Sequence, residues 1–218
     1  MLRFAEEILL LALDEKSGRL HPLPERALEF ALAGAVLAEL AFLDRLDTDA
    51  TQMMIKDASP MGDPILDEAL KYLPKDEPKL TIQKALARIA LKTDKLKELL
   101  FAELVRKGVL KEQEKKFLWV LHERRYPVLD NREEEEVRAR IRSVVLDPAA
   151  IPDPQDVILI GLMDACDLDD FVFTPEELDR SAERIKQICR MDFIVQALTR
   201  AIGEIQQAIL EVIAYSGM

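Results

Sequence analysis

Apolar residues recur every three to four positions along most of this chain, which is the period of a helix with one buried face. The first such stretch covers Ile8 to Leu13, and the pattern returns between short turns that contain proline and aspartate. We therefore predict a mainly α-helical protein, a bundle that forms a single domain over residues 1–218. The later predicted helices are Pro24–Leu43, Ile65–Tyr72, Thr81–Leu91, Asp94–Arg106, Arg132–Leu146, Asp156–Cys166, Pro175–Cys189 and Phe193–Tyr215.

The second of these helices is apolar on almost every side, so we predict that it lies at the centre of the bundle. Ala31, Gly34, Ala35 and Ala38 stand at i, i+3, i+4 and i+7. Small side chains at this spacing form a stripe against which another helix can pack closely.

Two segments of the chain follow the same plan, 64 residues apart. Each segment contains the end of a helix, a tight turn that leaves it and a short charged stretch; the segments are Leu37–Leu46 and Phe101–Leu110. The same offset aligns Met53–Ile55 with Phe117–Trp119, which predicts a short β-hairpin after each helix. A helix followed by a hairpin is a packing unit, so the repeat favours a binding scaffold over a catalyst.

Composition narrows the class of protein. The chain has 218 residues, of which 49% are hydrophobic and 33% charged, and its formal net charge is −11. A strongly acidic chain is unsuited to indiscriminate binding of DNA or anionic lipid, because such binding depends on Lys and Arg at phosphates. The longest apolar stretch contains Glu29 and Glu39, and the N-terminus does not resemble a signal peptide. We expect a cytoplasmic protein.

Residues with catalytic or metal-binding chemistry are few and scattered. His21 and His122 have no nucleophile motif nearby, and Cys166 and Cys189 do not have metal-site spacing. The four aspartates between Asp164 and Asp170 lack the glycine and distal glutamate of a calcium loop. We therefore predict no catalytic residues, no metal site and no cofactor. Trp119 is most simply a core or subunit contact, with a membrane-facing anchor as the alternative.

Several motifs resemble the Golgi phosphoprotein 3 family, in the same order over nearly the whole chain. The most specific is the Asp-Glu-Ala-Leu-Lys element at Asp67–Lys71. The others are Leu9–Asp14, Gly34, Glu39–Ala41, Arg45–Leu46, Gly62–Asp63, Lys107–Leu110, Phe117–Leu118, Pro127 and Val145–Asp147. The resemblance implies a mostly α-helical single domain that sits on membranes and self-associates through the hairpin after Lys-Gly-Val-Leu. It also implies, for eukaryotic members, recognition of phosphatidylinositol 4-phosphate and retention of glycosylation enzymes.

The lipid pocket of that family carries over only in part. It uses a Trp before the second helix, an Arg before the helix glycine, and two basic residues in the helix that leads into Lys-Gly-Val-Leu. The corresponding residues here are Pro24, Ala33, Asp94 and Lys97. The resemblance therefore implies that this pocket is largely not retained.

A lipid-phosphate site made of Lys92, Lys95 and Lys97 is the remaining candidate, since ammonium groups attract phosphate as point charges. The competing interpretation is an ordinary helix surface, because Asp94 and Glu98 stand at pairing distance along the helix.

Two functions of different classes follow. The first is a non-enzymatic peripheral membrane or adaptor protein at the cytosolic membrane face. Its partners would be anionic lipid headgroups, phosphatidylinositol 4-phosphate among them, the tails of membrane proteins, and further copies of itself through the second hairpin. The second is a winged-helix-like nucleic-acid-binding regulator, for which each helix and hairpin would form one unit. Neither helix is strongly basic, so we expect no nucleic-acid partner.

Overall fold

A computed structural model describes residues 2–15, 17–24, 26–49, 51–74, 79–117 and 121–216, with the backbone alone at 114–117, 121–123 and 209–216. The prediction of a mainly helical protein with short hairpins is confirmed. The helices are α1 (Phe4–Leu11), α2 (Ala27–Phe42), α3 (Pro64–Tyr72), α4 (Ile82–Ala90), α5 (Thr93–Arg106), α6 (Arg132–Leu146), α7 (Pro154–Ala165), α8 (Pro175–Cys189) and α9 (Phe193–Ser216). The strands are β1 (Leu13–Asp14), β2 (Arg19–Leu20), β3 (Leu46–Thr48), β4 (Gln52–Ile55), β5 (Lys79–Thr81), β6 (Gln113–Phe117) and β7 (Leu121–Arg125).

The start of α2 differs from the prediction. Pro24 is not in its first turn, because Arg26 adopts a left-handed conformation with φ of 64° and the helix begins at Ala27. The carbonyl of Pro24 instead accepts a hydrogen bond from the backbone N–H of Ala27. A left-handed residue ends the regular helical path, so the proline lies in the turn before the helix.

The central position of α2 is confirmed. Its residues from Ala31 to Ala38 are all buried, and α1, α4 and α7 pack around it. A Cβ atom placed on Gly34 would come within 2.5 Å of Leu162 Cδ2 on α7. Gly34, within the small-residue stripe, is therefore a point of close packing between α2 and α7. One cluster of buried side chains contains residues of α1 through α9.

The 64-residue repeat holds at the helix exits. α2 ends at Phe42 and α5 at Arg106, and each exit has a residue with positive φ, at Asp44 (57°) and Gly108 (76°). The closing hydrogen bonds also correspond, since Arg45 N–H donates to Leu40 (2.8 Å) and Val109 N–H donates to Leu104 (3.0 Å). These two exits are the same local structure.

A short hairpin follows each of the two helices, as predicted, but the 64-residue offset does not relate the strands of one hairpin to those of the other. β4, which contains Met53, is the central strand of the sheet β3-β4-β5. Phe117, the residue 64 positions later, ends the first strand of the separate hairpin β6-β7. Trp119 lies outside the described residues. Of the helices in the described part of the chain, none is both long and apolar enough to cross a membrane.

Candidate functional site

The candidate site lies where α4 turns into α5. α4 ends at Ala90, and Leu91 and Lys92 connect it to α5, which begins at Thr93. The buried hydroxyl of Thr93 donates a hydrogen bond of 2.5 Å to the carbonyl of Ala90, so one residue closes the end of α4 while it starts α5. This bond holds the connection in a fixed geometry. We call residues 88–95 the α4–α5 corner.

The three candidate lysines differ in their partners. Lys92 is exposed, and the described residues place no carboxylate within salt-bridge distance of it. The Lys95 side chain is 53% exposed and pairs with Glu98 at 3.1 Å. The Lys97 side chain is 22% exposed and pairs with Asp94 at 2.9 Å. Exposed pairs of this kind contribute about 0–1 kcal/mol, and they are the pairs that an ordinary helix surface would make.

Helix geometry separates the three lysines into two groups. Successive residues of an α-helix are about 100° apart, so Lys92 and Lys95 lie about 60° from each other around α5. Lys97 lies about 200° from Lys95, on the opposite side. Helix geometry, extended back by one residue to Lys92, therefore groups Lys92 with Lys95 and separates Lys97 from them.

The four positions counted from Gly34 and Gly108, which are Pro24, Ala33, Asp94 and Lys97, lie in different surroundings. Ala33 is fully buried inside α2, and Pro24 is exposed in the turn before it. The Asp94 side chain is 96% exposed, and Lys97 lowers its pKa by hydrogen bonding and charge attraction. Lys97 is therefore the one cation among the four positions, and a carboxylate already neutralises it.

The Asp-Glu-Ala-Leu-Lys element has a structural explanation. Asp67 accepts hydrogen bonds from the backbone N–H groups of Met61 (2.8 Å) and Gly62 (3.0 Å), which fixes the loop before α3. Glu68 accepts hydrogen bonds from Lys71 and from the Tyr72 hydroxyl, and these bonds lower its pKa. Sequence reasoning used this element for recognition alone and missed its structural role. The signal was available, because Glu68 and Lys71 stand at i,i+3 on one helix.

The structure gives the surroundings of His21 and of the two cysteines, whereas the side chain of His122 lies outside the described part of the chain. His21 stacks on Phe171 with ring centroids 4.4 Å apart. Burial raises the pKa of Cys189 to about 12 and raises that of Cys166 as well, so both thiols stay protonated at neutral pH. Among the described side chains no group of His, Cys, Asp and Glu is arranged to hold a metal ion.

The winged-helix alternative needs a helix that can enter a DNA groove. α2 cannot do so, because its apolar surface is buried in the core on every side. α5 has an exposed side, but acidic residues alternate with its lysines there. The fold gives this alternative no support.

Comparison with known proteins identifies the family. The family model described as Golgi phosphoprotein 3 (GPP34) matches residues 4–205. One similar protein is the vacuolar protein sorting-associated protein 74 of Eremothecium gossypii, which is 32% identical over 166 residues. That match covers 66% of this chain and 49% of the relative, so the chain spans about half the length of the curated relative it matches. Because the family model extends over nearly all of the helical core described above, this chain belongs to the Golgi phosphoprotein 3 family.

Proposed function

We propose that this chain is a non-enzymatic adaptor that binds the cytosolic face of a membrane through lysines at the start of α5. The observation that supports it best is Lys92, an exposed cation with no carboxylate partner among the described residues, in a chain of net charge −11. Lys95 lies on the same face, and the N-terminal end of a helix also favours nearby anions. Membership of a family named for the Golgi, and a relative named for vacuolar protein sorting, support a role at internal membranes.

The proposed lipid contact is electrostatic and does not select phosphatidylinositol 4-phosphate. A selective headgroup site needs several cations fixed around one phosphate. Two of the positions expected to supply them cannot do so in this chain, because Ala33 is uncharged and buried and Lys97 is paired with Asp94. We therefore expect weak or absent preference for this lipid over other anionic lipids at equal surface charge. Binding should weaken at high salt, because exposed charges are screened over about 10 Å at 0.1 M salt.

The adaptor role also includes binding to the tails of membrane proteins and self-association. In the described part of the chain β6 and β7 pair only with each other, so each strand there has one edge available for pairing with another chain. This geometry supports a homo-oligomer formed through the second hairpin. We expect analytical ultracentrifugation to show a mass that rises with protein concentration, and a monomer throughout the micromolar range would contradict self-association.

Vesicle co-sedimentation with charge-reversal variants tests the membrane proposal. The double variant Lys92→Glu/Lys95→Glu should lose binding to vesicles of phosphatidylcholine and phosphatidylserine, while Lys97→Glu should have a smaller effect. A matched control is Lys56→Glu/Lys186→Glu, which makes the same charge change at exposed, ion-paired lysines outside α5. All variants should melt within a few degrees of the wild type, because exposed pairs contribute little to stability.

These variants distinguish binding through the α5 lysines from binding that depends on net charge alone. Equal loss of binding in the control would mean that net charge, not the α5 face, determines binding. Retained binding in Lys92→Glu/Lys95→Glu would refute the assigned face. Exposed charges are largely screened at roughly 0.5 M salt. Tight binding to phosphatidylinositol 4-phosphate at that salt concentration would therefore refute the expected lack of selectivity.

A further inference from the structure

One exposed leucine stands apart from the other exposed apolar side chains in the described part of the chain. Most of the others have an aspartate within two residues of them in the sequence, and Met54 stands opposite Asp47 in the β3-β4 register. Leu91 is 70% exposed and has no acid within two residues on either side. The set comprises Phe42, Leu43, Met54, Leu91, Leu129, Leu146, Ile151, Met191 and Phe193.

The charge around Leu91 is positive. Between Lys79 and Thr93 the sequence contains no Asp or Glu, although the chain as a whole has 41 of them. Within this stretch, Arg88 and Lys84 lie about one and two turns before Leu91, and Lys92 follows it directly. An acid-free segment of this length in so acidic a chain is a local reversal of the overall charge.

The geometry of the α4–α5 corner places these groups on one surface. Arg88 and Leu91 are i,i+3 neighbours, and the backbone N–H of Leu91 still donates to Ala87, so Leu91 continues the path of α4. Lys92 and Lys95 share one face of the next helix. The Thr93 hydroxyl bonds to the carbonyl of Ala90 across the connection between the two helices. Leu91 is thus an exposed apolar residue between Arg88 on one helix and Lys92 and Lys95 at the start of the next, and Asp94, which pairs with Lys97, is the one carboxylate among residues 88–95.

We propose that Leu91 is an apolar anchor that enters the interfacial layer of an anionic membrane while the lysines beside it contact lipid phosphates. This inference rests on the proposed membrane-binding function and adds to it a specific contact residue. An apolar side chain inserted beneath the headgroups gains free energy from leaving water, and adjacent cations gain it from the negative surface potential. The long lysine side chains can lie along the apolar boundary with their charge at headgroup level. An acidic protein surface could attract the cations equally well, but it would need an apolar pocket to cover Leu91.

Vesicle binding by Leu91 variants tests the inference. With vesicles of phosphatidylcholine and phosphatidylserine, Leu91→Ala should bind on the order of tenfold more weakly, because three carbon groups no longer leave water. Leu91→Asp should lose measurable binding, and Leu91→Trp should retain it. On vesicles that carry brominated acyl chains, the tryptophan of Leu91→Trp should be quenched beyond the signal of the wild type. The matched control is Leu129→Ala, another exposed leucine, 61% exposed, which stands beside Asp130.

The variants distinguish failure of this inference from failure of the proposed function. If wild-type protein does not bind anionic vesicles, the proposed function and the anchor are both wrong. If wild-type protein binds and Lys92→Glu/Lys95→Glu does not, but Leu91→Ala and Leu91→Asp bind like the wild type, the anchor alone is overturned. Equal weakening by Leu129→Ala would also overturn it. All Leu91 variants should keep the melting temperature of the wild type, since the side chain is mostly in water.

Discussion

Gly34 provides the strongest test of the packing at the centre of the bundle. A Cβ at this position would lie 2.5 Å from Leu162 Cδ2, which is far shorter than an ordinary carbon contact of about 3.5–4 Å. Leu162 is buried on α7, so its methyl group has little room to move away. Gly34→Ala should therefore push α2 and α7 apart or force Leu162 from its preferred rotamer.

The expected magnitude combines two opposing effects. Overpacking of this kind costs roughly 1–3 kcal/mol. Alanine also favours the helix over glycine by about 1 kcal/mol, so the net loss should be about 0–2 kcal/mol. Gly203 on α9 is the matched control, because a Cβ there meets no atom within 4 Å. Gly203→Ala should stabilise the protein by about 0.5–1 kcal/mol, and the difference between the two variants measures the overpacking at Leu162.

Urea denaturation of both variants measures these free energies of unfolding. We expect Gly34→Ala to be less stable than Gly203→Ala by roughly 1–3 kcal/mol, and Gly34→Leu to be less stable still. The double variant Gly34→Ala/Leu162→Ala should lose less than the sum of its parts, because truncating Leu162 makes room for the new methyl group. Equal stabilisation by Gly34→Ala and Gly203→Ala would show that α7 does not press against this stripe.

Three further predictions concern buried charge and helix capping. Lys107→Met should lower the free energy of unfolding, measured by urea denaturation, by about 3 kcal/mol, because the fully buried Glu6 would lose the ammonium group that lies 2.7 Å from its carboxylate. A loss below about 1 kcal/mol would mean that water replaces the lysine. Asp63→Ala should lower the free energy of unfolding by about 1–2 kcal/mol, because the Asp63 carboxylate accepts hydrogen bonds of 2.9 Å from two N–H groups at the start of α3. The amides of α3 should also lose protection in hydrogen exchange. Burial beside other aspartates raises the pKa of Asp169 to about 7, so the folded state holds this proton more tightly than the unfolded chain does. The stability that this proton provides is therefore lost as the pH rises from about 4 to about 7. Asp169→Asn should therefore raise the melting temperature most at pH 8, and an equal increase at pH 4 would contradict this pKa.

The sequence alone was sufficient to locate most of the helices. Both ends of α6 and α8 fall where the pattern placed them. At α8 the reason is local, since Thr174 and Glu177 form a reciprocal cap around Pro175. The helix exits at Asp44 and Gly108 also repeat because their hydrogen bonds close within six residues. Features determined by neighbouring residues along the chain are visible in one sequence.

The sequence was less informative about the candidate site. It singled out Lys92, Lys95 and Lys97 as a group, but helix geometry places Lys97 on the other side of α5. It also predicted Leu91 as the end of a helix, with no indication that its side chain is exposed. Whether a periodic apolar residue is buried depends on which helix packs against it, and that partner comes from elsewhere in the chain.

Contacts between distant segments were decided by the tertiary structure. The two hairpins differ although their helices match, because β4 pairs with β5, a strand more than twenty residues further along, while among the described residues β6 and β7 pair only with each other. The charge of Glu6 is tolerated in the core because Lys107 arrives from a helix exit about a hundred residues away. Amphipathic period and turn chemistry act over a few residues and are encoded locally, whereas strand partners, buried ion pairs and the exposure of Leu91 depend on how the finished helices pack.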